Sequence, residues 1–184
     1  MDSLVIVDCQ YDFIDGSLAC SGSHEAVAYL IDFINRHEVE VLYTSDWHSP
    51  TNQSFTVNGG IWPIHCVAGE KGSALDRHFF ADIIDVKNRP NEENIFHKGM
   101  DDIVEEYSAF HGINKKGIPL GTMVTDHVYV AGIASECCVN ETVFELLKAG
   151  HKVTLLVKGL GYVDYNGHLA AIDAMKKLGV EILE

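Results

Sequence analysis

Short, uninterrupted apolar runs alternate with amphipathic helical stretches along the whole chain, and that alternation leaves few architectures open. Leu4, Val5, Ile6 and Val7 form a run that stops at Asp8, the pattern of a strand covered on both faces. Ser23 can cap a helix in which Val27, Leu30, Ile31 and Ile34 recur at helical spacing, leaving Asp32, Asn35 and Arg36 toward water. Strands are expected at 39–44, ending near Asp46, at 94–97, ending at Lys98, and at 128–131. A helix over about 136–149 is stopped by Gly150, and a strand at 153–157, a helix near 167–178 and a last strand at 180–183 complete the series. Successive βα units imply right-handed crossovers. The expectation is a doubly wound, three-layer α/β fold with a central, mostly parallel sheet and helices on both faces. With 184 residues, 47% of them hydrophobic, and no linker or repeat, residues 1–184 are read as one domain.

Charge and cysteine usage remove several function classes. A net charge of −14, with no basic cluster to track a phosphate backbone, argues against nucleic-acid binding. No apolar run approaches the roughly 18 residues of a membrane span, and the N-terminus has no leader pattern. Five cysteines (Cys9, Cys20, Cys66, Cys137, Cys138) with no CxxC pair fit neither a secreted disulfide framework nor a four-thiolate zinc site. The chain is therefore read as a soluble, cytoplasmic protein whose partner is a small molecule; a homo-oligomer stays open.

In open parallel sheets, sites form outside the carboxyl ends of the strands. Asp8, Asp46, Lys98 and the turn containing Cys138 all follow strand ends in this reading, so separate segments converge on one rim. A strand-end Asp alone is an ordinary turn residue, and a lone buried Cys an ordinary core residue. Their joint placement is what points to a site. Cys138 lies where a strand pattern breaks at Gly132, Ile133, Ala134 and Ser135 and a helix pattern begins. A thiol at a helix N-terminus has its thiolate favoured, which predicts a lowered pKa and covalent catalysis.

The segments Val7 to Phe13, Ser45 to His48, Trp62 to Gly69, His97 to Gly99, Tyr107 to Phe110 and Gly132 to Val139 occur in an order that resembles the nicotinamidase/pyrazinamidase branch of the isochorismatase-like cysteine hydrolases. Each motif alone is weak; the ordered set covers nearly the whole chain. The resemblance implies a Cys-Asp-Lys triad, here Cys138, Asp8 and Lys98. Cys138 is chosen over Cys137 because it directly precedes Val139. It also implies a cis peptide at Ile133–Ala134, an oxyanion hole from the Ala134 and Cys138 amides, and a pocket in which Phe13 and Trp62 flank a pyridine ring with Tyr107 and Ala134 beside it.

Asp46, His48 and His65 form a second constellation suited to one divalent metal ion, zinc first and iron or manganese next. By resemblance the ion binds the pyridine nitrogen of the substrate. The usual family motif carries a histidine where this chain has Asn52, so either Asn52 offers its carbonyl oxygen, a water or Ser54 fills the gap, or the site binds metal weakly. The other histidines (His24, His37, His78, His97, His111, His127, His151, His168) have no compelling partner pattern. The implied function is hydrolysis of nicotinamide to nicotinate and ammonia in NAD salvage, with pyrazinamide as a second substrate. The alternative is another cysteine amidohydrolase of the superfamily, acting on a carbamoyl or ureido compound.

Overall fold

The computed structural model describes residues 1–184. In chain order the elements are β1 (Asp2–Val7), α1 (Tyr11–Ile14), α2 (Ser23–Arg36), β2 (Val39–Asp46), α3 (His78–Ala81), β3 (Ile95–Lys98), β4 (His127–Gly132), α4 (Asn140–Lys148), β5 (Lys152–Leu160), α5 (Tyr165–Lys177) and β6 (Glu181–Leu183), with short 3₁₀ turns in the long connections. The six strands form one sheet in the order β3-β2-β1-β4-β5-β6. Every pairing is parallel, so the sheet is more uniform than the mostly parallel one expected.

Topology explains where the site must lie. The chain winds from β1 outward to β3, then returns to place β4 beside β1 and winds the other way. Right-handed crossovers in opposite directions put α2 on one face and α4 and α5 on the other. The reversal between β1 and β4 opens a crevice beyond their carboxyl ends. Val7 and Gly132 are register partners at that point. A Cβ on Gly132 would strike the Val7 backbone, and its φ of +123° also requires glycine. Leu4, Val5, Ile6 and Val7 are fully buried, as a strand covered on both faces must be.

Several local boundaries differ from expectation, each for a packing reason. Ser23 is not the cap of α2: Gly22, in a left-handed conformation at φ 74°, precedes the helix, and Ser23 is its buried first residue. The entry is instead set by the antiparallel bridge between Ser21 and Tyr162. The apolar face of α2 is Ala26, Val27, Leu30, Phe33 and Ile34, with Ile31 at its edge. The helix expected over 136–149 begins as a π-helical turn, Ser135–Val139, before α4. Strand β5 runs on to Leu160 because, past a bulge, Leu160 pairs with Gly132. Helix α5 starts at Tyr165 because the Asp164 carboxylate accepts the Gly167 N–H at 2.7 Å.

Candidate active site

The strand ends bring Asp8, Lys98 and Cys138 together. Asp8 follows β1 with a left-handed φ of 48°. Lys98, the last residue of β3, is 2% exposed, and its Nζ lies 3.0 Å from Asp8 Oδ2 and 3.4 Å from Cys138 Sγ. It also touches Asp46 Oδ1 and donates to the Glu106 carbonyl at 3.2 Å. Asp8 Oδ1 accepts from the Thr44 hydroxyl at 2.6 Å. Asp8 Oδ2 has the Lys98 ion pair but no hydrogen bond, and a carboxylate oxygen of Asp8 lies within 4.8 Å of the Cys138 sulfur.

Beside this group Asp46, His48 and His65 converge. Their ligand atoms lie within 4.8 Å of one another, with His48 Nε2 3.4 Å and His65 Nε2 3.8 Å from Asp46 Oδ2. The other ring nitrogen of each histidine is engaged by a backbone carbonyl, Gly99 for His48 and Pro63 for His65, both at 2.8 Å. That orients the Nε2 lone pairs inward, the arrangement a metal needs from its outer shell. The donor set, two imidazoles and a buried carboxylate, fits a divalent cation. The irregular stretch at 49–77 is tied in by main-chain bonds from His48 N to Cys66 O (3.0 Å) and from Ala68 N to His48 O (2.8 Å). Asp12 Oδ2 accepts the Cys66 amide at 2.8 Å, next to His65.

Asn52 does not belong to this cluster. Its Oδ1 accepts the Ser54 amide at 2.9 Å and its Nδ2 donates to the Asp101 carbonyl at 3.2 Å. Its amide lies on the Nδ1 side of His48, away from the face that meets Asp46. Ser54 is the better placed of the two: its hydroxyl is buried without a partner and its side chain lines the cleft.

That cleft is walled by Phe13, Leu18, Trp62, Tyr107, Ala134 and Val163, with Cys138, Asp46, His48 and His65 also lining it. The four residues expected to contact substrate thus share one cavity with the cysteine and the histidine pair. Asp8 and Lys98 do not line it; they stand behind Cys138. Trp62 is braced by its indole N–H, which donates to Glu105 at 3.0 Å and the Tyr107 hydroxyl at 3.1 Å. The Ile133–Ala134 peptide is cis, and the Ala134 amide makes no hydrogen bond within the chain.

The isochorismatase domain model matches residues 2–184. The chain belongs to the isochorismatase family. Within it, the nicotinamidase/pyrazinamidase of Mycobacterium tuberculosis is 30% identical over 195 residues, covering 100% of this chain and 98% of that protein. The crystal structure of PnC1 from L. infantum in complex with nicotinate superposes with a TM-score of 0.85 at 30% identity, covering 100% of this chain and 92% of that one. The pyrazinamidase of Pyrococcus horikoshii in complex with zinc gives 0.82 at 29% identity, covering 99% and 98%.

In this isochorismatase-family site the electrostatics correct one expectation. Burial pushes the Cys138 thiol well above its ordinary pKa; Lys98 opposes the shift, while Asp8 and Asp46 add to it. Burial, the largest of these causes, opposes the thiolate that a helix N-terminus would favour. Burial likewise pushes Asp8 up against the pull of Lys98. Burial works against charge on Asp46 too, but Lys98 and His48 outweigh it and hold the carboxyl well below its usual range. Burial disfavours the Lys98 ammonium, yet Asp46 and Asp8 more than compensate and keep it charged. Asp8, Asp46 and Cys138 also converge, their ligand atoms within 4.8 Å of one another, but the Lys98 ammonium already contacts all three.

Sequence reasoning missed Gln10. Its amide spans β1 and β2, donating to the carbonyls of Asp46 (2.8 Å) and Ser73 (2.9 Å) and accepting the Asp46 N–H (2.8 Å). The only available signal was a polar residue two positions after Asp8, which local pattern cannot tell from a turn residue.

Proposed function

We propose that the protein is a nicotinamidase, hydrolysing nicotinamide to nicotinate and ammonia through a thioester on Cys138, with Asp8, Lys98 and Cys138 as its catalytic residues. The reading rests on one observation above all: Cys138 separates a cleft holding a histidine-carboxylate cluster from a buried Asp8–Lys98 pair, whose ammonium lies 3.4 Å from the Cys138 sulfur and 3.0 Å from Asp8 Oδ2. Burial disfavours ionisation of the Cys138 thiol, so attack needs a base, and Asp8 Oδ2 is the buried acceptor without a hydrogen bond. As sulfur attacks the amide carbon, Asp8 takes its proton, and the carbonyl oxygen becomes an oxyanion held by the Ala134 and Cys138 amides. Asp8 then delivers that proton to the departing nitrogen, so ammonia leaves and a thioester remains. A water, deprotonated by Asp8, hydrolyses the thioester to nicotinate and restores the thiol. Lys98 stays charged throughout and balances the anionic states of its neighbours.

Phe13 and Trp62 flank the ring, and Tyr107 closes the wall beside Trp62. Asp46, His48 and His65 would hold a divalent cation, zinc in preference to iron or manganese, which supplies a Lewis acid for the pyridine nitrogen. Pyrazinamide presents a ring nitrogen at the same position relative to its carboxamide and is a second substrate. The case for a carbamoyl- or ureido-directed amidohydrolase drew on the departure at Asn52, which falls on a residue turned away from the cluster. Residues 1–184 act as one hydrolase domain in this reading. Five unpaired cysteines suit the reducing cytoplasm, where nicotinate would feed NAD salvage.

The test is ammonia release from nicotinamide by metal-replete protein beside Cys138→Ala and an EDTA-treated sample. Turnover lost in both controls supports the reading. A folded, metal-loaded wild type that releases no ammonia sinks it.

A further inference from the structure

Beneath the nucleophile turn lies a buried polar network that the chemistry above does not use. Ser135, fully buried, has its hydroxyl 2.7 Å from His168 Nδ1 and 3.1 Å from Glu136 Oε2. Glu136 Oε1 accepts the amides of Val163 (2.8 Å) and Asp164 (2.7 Å), and the Ser135 amide donates to the Gly161 carbonyl at 2.9 Å. The His168 ring, 8% exposed on α5, stacks on Tyr162 with centroids 4.6 Å apart. With the Ser135 hydroxyl donating to Glu136, the contact with His168 is one in which Nδ1–H donates to the Ser135 oxygen. The two residues so held, Ser135 and Glu136, lie between Ala134 and Cys138.

We propose that His168 is a positioning residue for the hydrolysis, acting through Ser135 and Glu136 to set the direction of the Ala134 and Cys138 amides. The proposal rests on the reading that those amides hold the oxyanion. Oxyanion donors act only when aimed at where charge develops, and a small misplacement of such groups costs rate more than ground-state binding. His168 never touches substrate, so its loss should appear in turnover and not in substrate affinity. A side chain that merely stabilised the fold would not divide the two in this way.

The experiment compares His168→Leu, which removes the donor, with His168→Asn, whose amide nitrogen can replace Nδ1. In His168→Leu, kcat should fall by about 10- to 100-fold while KM stays within about 2-fold. Affinity for pyridine-3-carbaldehyde, which forms a tetrahedral adduct with Cys138, should fall by the same factor as kcat, and affinity for nicotinate should not change. His168→Asn should recover most of the loss. An unchanged kcat in His168→Leu, an equal loss of nicotinate affinity, or no recovery in His168→Asn overturns the proposal. If His168→Leu does not fold, Ser135→Ala is read in the same way. Wild-type protein inert toward nicotinamide would refute the proposed function, and the amide resonances of Ala134 and Cys138 would still decide the present point. They should shift in His168→Leu and return in His168→Asn; resonances unmoved in His168→Leu overturn it.

Discussion

Lys98 and Asp46 are in direct contact at the end of adjacent parallel strands, and the contact splits the Asp46 carboxylate between two tasks. Oδ1 meets the Lys98 ammonium, while Oδ2 faces the Nε2 atoms of His48 and His65. Register places them side by side: Asp46 and Lys98 are partners in the β2–β3 ladder. One residue therefore joins the histidine-carboxylate cluster to the group behind Cys138.

Removing the sulfur nucleophile tests the assignment most directly. Cys138→Ala should abolish ammonia release while leaving the far-UV spectrum and metal content unchanged. Cys137→Ala should keep activity within a few-fold, since Lys98, Asp8 and Asp46 gather around the sulfur of Cys138 and not that of Cys137. Equal loss in both variants would contradict the choice of Cys138.

The buried ion pairs make Lys98 structurally costly to lose. Lys98→Met leaves Asp8 and Asp46 buried beside each other without a counter-charge, and breaking such a pair costs about 3–5 kcal/mol. Urea unfolding should show a loss of this order together with absent turnover. An unchanged midpoint would mean that solvent or a proton replaces the ammonium cheaply.

The direction of the Asp46 shift gives a pH test. Its folded-state pKa is depressed, so its contribution to stability is present above its unfolded value of about 3.9 and is lost as pH falls below that toward the folded pKa. The stability gap between metal-free wild type and Asp46→Asn should be full at pH 6 and shrink as pH falls from 4 toward 2. A gap independent of pH would show that Asp46 is not held ionised by Lys98.

Cys138 shifts in the opposite sense. Alkylation of Cys138 by iodoacetamide in the metal-free protein, followed by mass spectrometry, should be slow at neutral pH and climb beyond the ordinary thiol value of about 8.5. Fast reaction at pH 6 would restore the thiolate expected of a helix N-terminus.

Gln10 and Asn52 separate the residues that support the metal centre from those that only sit near it. Gln10→Ala removes the clamp on both backbone groups of Asp46 and should weaken divalent-metal affinity by about 10- to 100-fold in calorimetric titration. Asn52→Ala should leave metal stoichiometry at its wild-type value, since its side chain serves Ser54 and Asp101.

Periodicity and strand-end position, both local, were sufficient to read the alternating βα order and the rim on which Asp8, Asp46, Lys98 and the Cys138 turn meet. The ordered motifs added Phe13, Trp62, Tyr107, His48 and His65 around one cleft. What the chain alone could not decide depends on groups brought from far along it. A helix N-terminus would lower the pKa of a thiol placed as Cys138 is in its own segment, whereas burial together with Asp8 and Asp46 from other strands raises it. Asn52 was placed by analogy of spacing, but the 99–102 segment, distant in sequence, claims its amide. Gln10 carried no reading of its own and His168 showed no partner pattern, because their partners, Asp46 and Ser135, lie 36 and 33 positions away. Local pattern thus determined which elements form and where they end, since backbone hydrogen bonding and amphipathic spacing are short-range. Solvation, charge state and side-chain direction were left to tertiary packing, because each is set by whatever the fold presses against the residue.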